Sequence, residues 1–157
     1  MTLNLNSSKL AARLLDSRYV WVSRIVLAAV FLVYGASKIP NLDDFARSIE
    51  NYQLLPDALV NALAITLPWI EVVAALALLF RRSAPGAVVT VGGMTLVFTI
   101  AIISALMRGL DINCGCLDTG TDADARNNLL QHLVFDLFLL VLAAHVWWWA
   151  RRNEAAL

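Results

Sequence analysis

Residues 84–107 read APGAVVTVGGMTLVFTIAIISALM and contain no charged side chain. An α-helix needs about 20 apolar residues to cross a hydrocarbon core of about 30 Å, so this run is long enough to span a membrane. Three further apolar runs of similar length are residues 19–39, 58–80 and 128–150. Because a bilayer core cannot hydrate open backbone, each run is predicted to be a helix. The sequence therefore predicts an all-α fold, a bundle of four transmembrane helices.

The composition favours a membrane protein over a soluble helical core. The chain of 157 residues is 60% hydrophobic and 15% charged, whereas soluble domains are about 45–50% apolar and about 25% charged. Four long apolar helices in so short a chain would leave a soluble protein too little polar surface. Residues 1–157 are therefore predicted to form a single domain in contact with membrane lipid. The net charge of zero gives no indication of nucleic-acid binding.

The distribution of basic residues predicts the orientation of the chain. With a cytoplasmic N-terminus, eight basic residues lie inside and four outside, as the positive-inside rule requires. The predicted inside set is Lys9, Arg13, Arg18, Arg24, Arg81, Arg82, Arg151 and Arg152. The predicted outside set is Lys38, Arg47, Arg108 and Arg126. Both termini are therefore predicted to be cytoplasmic, and the segment 108–127 extracytoplasmic.

An amphipathic helix is predicted over residues 41–54, between spans one and two. Leu42, Phe45, Ile49 and Tyr52 recur at helical spacing, and Asn41 is placed to cap the helix. Such a helix lies on the outer membrane surface. It is either a connector that follows the membrane or a lid over a site formed with the segment 108–127.

The segment 108–127, here called the cysteine loop, contains the only two cysteines of the chain, Cys114 and Cys116. In an oxidising compartment neighbouring thiols form a disulfide. Cα atoms two residues apart on a strand are about 7 Å apart, at the upper limit for a disulfide, so the bond needs the bend that Gly115 permits. So small a ring removes little unfolded-chain entropy, and strain makes it easier to reduce. The spacing favours a redox-active pair over a structural staple.

A metal site is the weaker interpretation of these cysteines. Two sulfurs supply half of a tetrahedral site, and only His132 and nearby aspartates are available to complete it. The spacing also lacks the C-x-x-C-H pattern of covalent haem attachment. No metal is assigned.

Ionisable residues inside the spans mark either a functional site or a buried ion pair, because an isolated charge is costly there. The acids are Glu71 in span two and Asp136 in span four. Depth along the helices makes Arg24 or Lys38 a candidate partner for Glu71, and Lys38 a candidate partner for Asp136. Structural ion pairs that orient the helices are the alternative to a functional site.

Span four carries a polar stripe. Asn128, His132 and Asp136 follow at i, i+4 spacing, so they share one helix face that descends from the cysteine loop. A histidine beside a dithiol can take the proton of an attacking or leaving thiol. His132 is therefore a candidate catalytic residue with Cys114 and Cys116. The alternative is a histidine that is merely solvated at the interface.

Five short motifs resemble those of the DoxX / MauE group of small four-span membrane proteins. In chain order they are Tyr34-Gly35-Ala36-Ser37-Lys38, Tyr52-Gln53-Leu54-Leu55-Pro56, Pro68-Trp69-Ile70-Glu71, Cys114-Gly115-Cys116 and Arg126-Asn127. The resemblance covers residues 24–150. Where the family usually has Phe-Gly after the second cysteine, this chain has Leu117-Asp118-Thr119-Gly120.

The resemblance implies a redox-associated protein of the bacterial inner membrane. On that basis Cys114 and Cys116 would exchange electrons with a periplasmic thioredoxin-like protein or an envelope oxidoreductase subunit, and a quinone is a candidate electron carrier. Lys38, Glu71, Asp136, Arg24 and Tyr34 are predicted to form the supporting polar groups. The alternative is a non-catalytic accessory or anchor subunit in which the cysteines only hold a loop.

Overall fold

A computed structural model describes residues 4–110 and 125–154, with side chains for residues 17–110 and 128–152. The described part is helical and contains no strand. Its helices are α1 (Asn4–Lys38), α2 (Leu42–Asn51), α3 (Asp57–Leu79), α4 (Ala84–Met107) and α5 (Ala125–Glu154), with a 3₁₀ turn at Ile39–Asn41 between α1 and α2. The predicted all-α bundle is confirmed, since α1, α3, α4 and α5 each contain a segment long and apolar enough to cross a membrane.

The four long helices run alternately up and down, and α1 packs mainly against α3 while α4 packs mainly against α5. Their buried cluster is built from small and aliphatic side chains, among them Leu27, Ala75, Leu78, Val91 and Val146. The opposite faces are equally apolar. Val33, Val73, Val97 and Val141 are about two-thirds exposed and would face lipid in a membrane. The chain is a multi-pass membrane protein.

Helix α2 is shorter than the predicted 41–54. It ends at Asn51 because Gln53 takes a left-handed backbone conformation, with φ of +50°. Asn41 does not cap it through its side chain. One face of α2 buries Phe45 against the bundle, and Asp43, Asp44 and Arg47 are exposed on the other. The end of the bundle that carries α2 is here called the α2 end.

Gly35 allows α1 to approach α3 closely. A Cβ atom at this position would lie 3.0 Å from the Glu71 Cβ, 3.0 Å from the Val72 Cγ2 and 3.1 Å from the Pro68 carbonyl oxygen. Backbone and Cβ atoms cannot move aside as a flexible side-chain end can. A side chain at this position would therefore require the two helices to shift by a few tenths of an ångström, and their close contact brings Lys38, one turn later, opposite Glu71.

We expect Gly35→Ala to lower the free energy of unfolding by about 1–3 kcal/mol, the cost of overpacking a close helix contact. The matched control is Gly93→Ala, since a Cβ at Gly93 meets nothing within 4 Å. Unfolding by denaturant in detergent micelles measures both. Equal stability of the two variants would show that α1 and α3 are not in the contact described here.

Candidate functional site

A cavity of about 620 Å³ lies beneath α2, within the α2 end of the bundle. Its walls are mostly apolar, but several of the ionisable and polar residues that the sequence marked as candidates line it. These are Tyr34, Lys38, Glu71, His132 and Asp136. They come from α1, α3 and α5, so residues up to about a hundred positions apart in the chain meet in one place.

The centre of the cavity's polar wall is a buried ion pair. The Lys38 Nζ lies 2.8 Å from the Glu71 Oε1 and 3.0 Å from the Oε2, and donates a hydrogen bond to each. The side chains are 4% and 2% exposed, so water does not screen the pair. The Lys38 side chain points back along α1 toward its N-terminus, as helical side chains do, and this direction brings the amine to Glu71.

Helix α2 covers this ion pair. The Lys38 Nζ lies 4.6 Å from the centre of the Phe45 ring of α2 and 5.4 Å from that of Phe98 of α4. A cation near an aromatic face is attracted by the ring quadrupole. Helix α2 therefore lies over the cavity, and the choice between the two roles predicted for it, connector and lid, stays a prediction.

The Arg108 side chain bonds the segment that directly follows α2 to the end of α4. Arg108, directly after α4, donates hydrogen bonds to the carbonyl oxygens of Tyr52 and Gln53. The end of α4 and the end of α2 are therefore held side by side. Since Arg108 is the first residue of the cysteine loop, the loop begins next to the end of α2.

His132 and Asp136 lie on the cavity side of α5, both partly buried. Asp136 lines the same cavity as Lys38. Both hydrogen bonds of the Lys38 amine that the structure records go to Glu71, so the pairing of Lys38 with Asp136 stays a prediction. Asn128, on the same predicted stripe, is not among the cavity-lining residues.

Cys114 and Cys116 lie in residues 111–124, outside the described residues. The residues on either side of this segment are described. Leu110 follows the end of α4, and Ala125 begins α5. Both belong to the α2 end of the bundle, the end that holds the cavity.

A family model described as "Methylamine utilisation protein MauE" matches residues 16–150, nearly the whole chain. The chain belongs to the MauE family. This confirms the MauE part of the resemblance inferred from the motifs, while the DoxX part remains a prediction.

Curated relatives agree with this family. The Methylamine utilization protein MauE of Paracoccus denitrificans is 30% identical over 132 residues, which are 83% of this chain and 71% of that protein. The protein of the same name from Paracoccus versutus is 34% identical over 131 residues, 79% of this chain and 70% of that protein. No solved structure gives a significant match.

Arg24 of this MauE-family chain does not join the cavity. Its Nε donates a hydrogen bond to the Leu78 carbonyl oxygen at 2.8 Å, and its guanidinium lies 4.6 Å from the centre of the Trp21 ring. Leu78 is in the last turn of α3, where carbonyl groups lack helical partners and a cation is favoured. Of the two bases considered for Glu71, the structure thus pairs Lys38, and Arg24 caps the C-terminal end of α3.

Two further residues lie beside the polar wall without having been predicted as part of a site. They are Phe45 and Phe98, whose rings lie next to the Lys38 amine. Thr95 also lines the cavity, and it carries a detectable sequence signal, because Thr95 and Thr99 recur at i, i+4 spacing on one face of an apolar span. Nothing local distinguishes Phe98 from the other apolar residues of its span.

Proposed function

We propose that this MauE-family protein is a thiol–disulfide redox protein of the bacterial inner membrane. Cys114 and Cys116 would exchange electrons with a periplasmic thioredoxin-like protein or an envelope oxidoreductase subunit. The observation that carries the proposal is the position of the cysteine loop. The segment with the only two thiols of the chain joins α4 to α5 at the end of the bundle where buried ionisable groups converge.

The exchange needs no chemistry beyond the two sulfurs and a proton acceptor. A thiolate of the pair attacks one sulfur of the partner's disulfide, which releases the other partner sulfur as a thiolate and leaves a mixed disulfide between the two proteins. The second thiol of the pair then attacks the sulfur of the first, which closes the Cys114–Cys116 disulfide and releases the second partner sulfur as a thiolate. Two electrons and two protons pass from the dithiol to the disulfide. His132, two turns into α5, is the group proposed to take or give the proton.

The remaining polar residues are assigned supporting roles. Lys38 and Glu71 neutralise each other and fix α1 to α3, Tyr34 and Asp136 add hydrogen-bonding groups to the cavity, and Arg24 stabilises the far end of α3. The predicted orientation, with cytoplasmic termini, places the cysteine loop in the periplasm. There disulfides are maintained.

The names of the relatives suggest the pathway. Both Paracoccus proteins are named for methylamine utilisation, and we propose that this chain serves the same process as an accessory membrane protein. Its redox partner would then be a periplasmic protein of that system. A quinone as the membrane electron carrier remains a prediction from the sequence.

Substitution of one cysteine at a time tests the exchange. In Cys116→Ser the mixed disulfide formed by Cys114 cannot be resolved, so we expect a covalent adduct with a second protein on non-reducing gels that disappears with dithiothreitol. Cys114→Ser should trap the adduct only if Cys116 is the attacking thiol. The double serine variant is the control. Absence of any adduct from both single variants in cells that express the envelope partners would contradict the proposal.

A second candidate function is a non-catalytic anchor of an envelope complex. The observation that favours it is the Lys38–Glu71 pair, whose hydrogen bonds are made within the bundle and serve its packing. An anchor keeps its function without thiols. Normal methylamine-dependent growth of the double serine variant would therefore select this alternative.

A further inference from the structure

The cavity beneath α2 is bordered by residues of α3 and α4. The residues that α3 and α4 contribute to the buried cluster lie in the half of each helix that is nearer to the short connection between them. These residues are Ala74, Ala75, Leu78, Ala87, Val88 and Val91. Toward the α2 end the facing positions, Leu63 and Leu67 on α3 and Gly93, Val97 and Ile100 on α4, line the cavity instead. Residues of both helices therefore border the cavity toward the α2 end, and the space between them is here called the gap.

The residues at this gap are both cavity lining and outer surface. Val97 is 66% exposed and Ile100 57% exposed, and both line the cavity. They lie well inside α4, which the composition places across the membrane. What they meet outside the bundle is consequently hydrocarbon, and a ligand that enters here comes from the bilayer.

We propose that the cavity binds a membrane-dissolved amphiphile that has an uncharged, oxygen-bearing head and a long apolar tail, and that enters between α3 and α4. The inference deepens the proposed function by naming the class of molecule that the cavity serves. Only the redox role of the ligand rests on the proposed function, and its binding to the cavity does not.

The polar wall selects an uncharged head. Among the described residues that line the cavity, Lys38 and His132 alone can carry positive charge, and Lys38 is bonded to both oxygens of Glu71. An anionic phosphate would have to compete with this buried carboxylate and would face a second one at Asp136. A carbonyl or hydroxyl head can accept from or donate to His132 and Asp136 without bringing an unpaired charge into the membrane.

The apolar walls select a tail. A cavity of about 620 Å³ is within the range of about 300–1,000 Å³ that small-molecule sites occupy, and hydrocarbon side chains continue from the polar wall to the gap. Two sources share this chemistry: a prenylated quinone and a neutral glycerolipid. A quinone would also accept two electrons and two protons from a dithiol, whereas a glycerolipid would only stabilise the fold.

The glycines of α4 provide a blocking variant and its matched control. Gly93 lines the cavity and Gly86 does not, and a Cβ atom at either position meets nothing within 4 Å. Gly93→Leu therefore fills the cavity entrance without a clash of its Cβ, and Gly86→Leu adds the same side chain elsewhere on the same helix. Val97→Trp is a second blocking variant at the gap.

Native mass spectrometry of the full chain, released from micelles that contain graded amounts of one lipid, measures binding. Decylubiquinone, dioctanoylglycerol and phosphatidylglycerol are tested separately. We expect decylubiquinone or dioctanoylglycerol to bind the unchanged chain and Gly86→Leu alike, and to bind Gly93→Leu and Val97→Trp about 10-fold more weakly, a difference of about 1.4 kcal/mol. Whichever of the two shows this pattern identifies the source of the head.

Two results would overturn the inference. One is that neither neutral lipid binds the unchanged chain, or that each binds the folded blocking variants as tightly as it binds the unchanged chain. If Gly93→Leu does not fold, Val97→Trp decides. The other is phosphatidylglycerol binding that is as tight as that of the neutral lipids and equally blocked. Neither result depends on a thiol, so a failure here leaves the mixed-disulfide experiment unaffected.

Discussion

Lys38→Met should lower the free energy of unfolding by about 3–5 kcal/mol, because it leaves the carboxylate of Glu71 buried without its partner. The size of the effect follows from burial, since the two side chains are only 4% and 2% exposed. Glu71→Leu strands the ammonium group in the same way. Denaturant unfolding in micelles, monitored by helix content, measures both variants.

The double variant Lys38→Met/Glu71→Leu separates the ion pair from general damage. Replacing a buried pair by apolar residues of similar size is often neutral or stabilising, so the double variant should recover most of the lost stability. Arg47→Met is the matched control, because Arg47 and Asp44 form a pair at 3.5 Å that is about three-quarters exposed and should contribute less than about 1 kcal/mol. Unchanged stability of Lys38→Met would show that the pair is not buried as described.

The second large effect concerns the thiols. In a strain whose growth on methylamine requires this protein, Cys114→Ser/Cys116→Ser should abolish that growth while the amount of protein in the membrane stays normal. A hydroxyl replaces a thiol with little change in volume, so the loss would be chemical and not structural. Asn113→Ser, next to the pair, is the control that keeps both thiols. Growth and membrane immunoblots measure the outcome, and normal growth of the double variant would contradict a redox role.

The bundle could be predicted from the sequence because each span is a run of about 20 apolar residues, and a bilayer allows such a run only one backbone structure. The position at which α2 ends could not be predicted from the sequence. The apolar spacing continues to Tyr52, but the left-handed conformation of Gln53 stops the helix before it. Such a conformation at a non-glycine residue depends on its surroundings and has no local signal.

The ionisable residues of the candidate site could be predicted from the sequence, but the partner of Glu71 could not. Ionisable residues stand out in an apolar span, so the sequence alone identifies Lys38, Glu71 and Asp136. Depth along a helix comes from the rise of about 1.5 Å per residue, but it left two partners for Glu71. The contact at Gly35 decides between them, since it fixes how α1 meets α3, and it places Arg24 about 21 Å from the level of Lys38, beside Leu78.

The contact of Phe45 with the Lys38 amine and the outward-facing part of the cavity could not be predicted from the sequence. Phe45 was predicted to lie on the apolar face of α2, yet its position over the Lys38 amine follows from how α2 folds back onto α3. The gap between α3 and α4 has the same origin. In the sequence Val97 cannot be distinguished from other lipid-facing valines, and only the structure shows that it lines the cavity.

Labelling with a membrane-impermeant maleimide, with and without prior reduction, tests the central claim that Cys114 and Cys116 are an accessible, reversible pair on the periplasmic side. In intact spheroplasts we expect the reagent to modify both thiols after brief treatment with a reductant and to modify few before it, with no labelling of the double serine variant. Modification only after the membrane has been permeabilised would place the thiols in the cytoplasm and contradict the account.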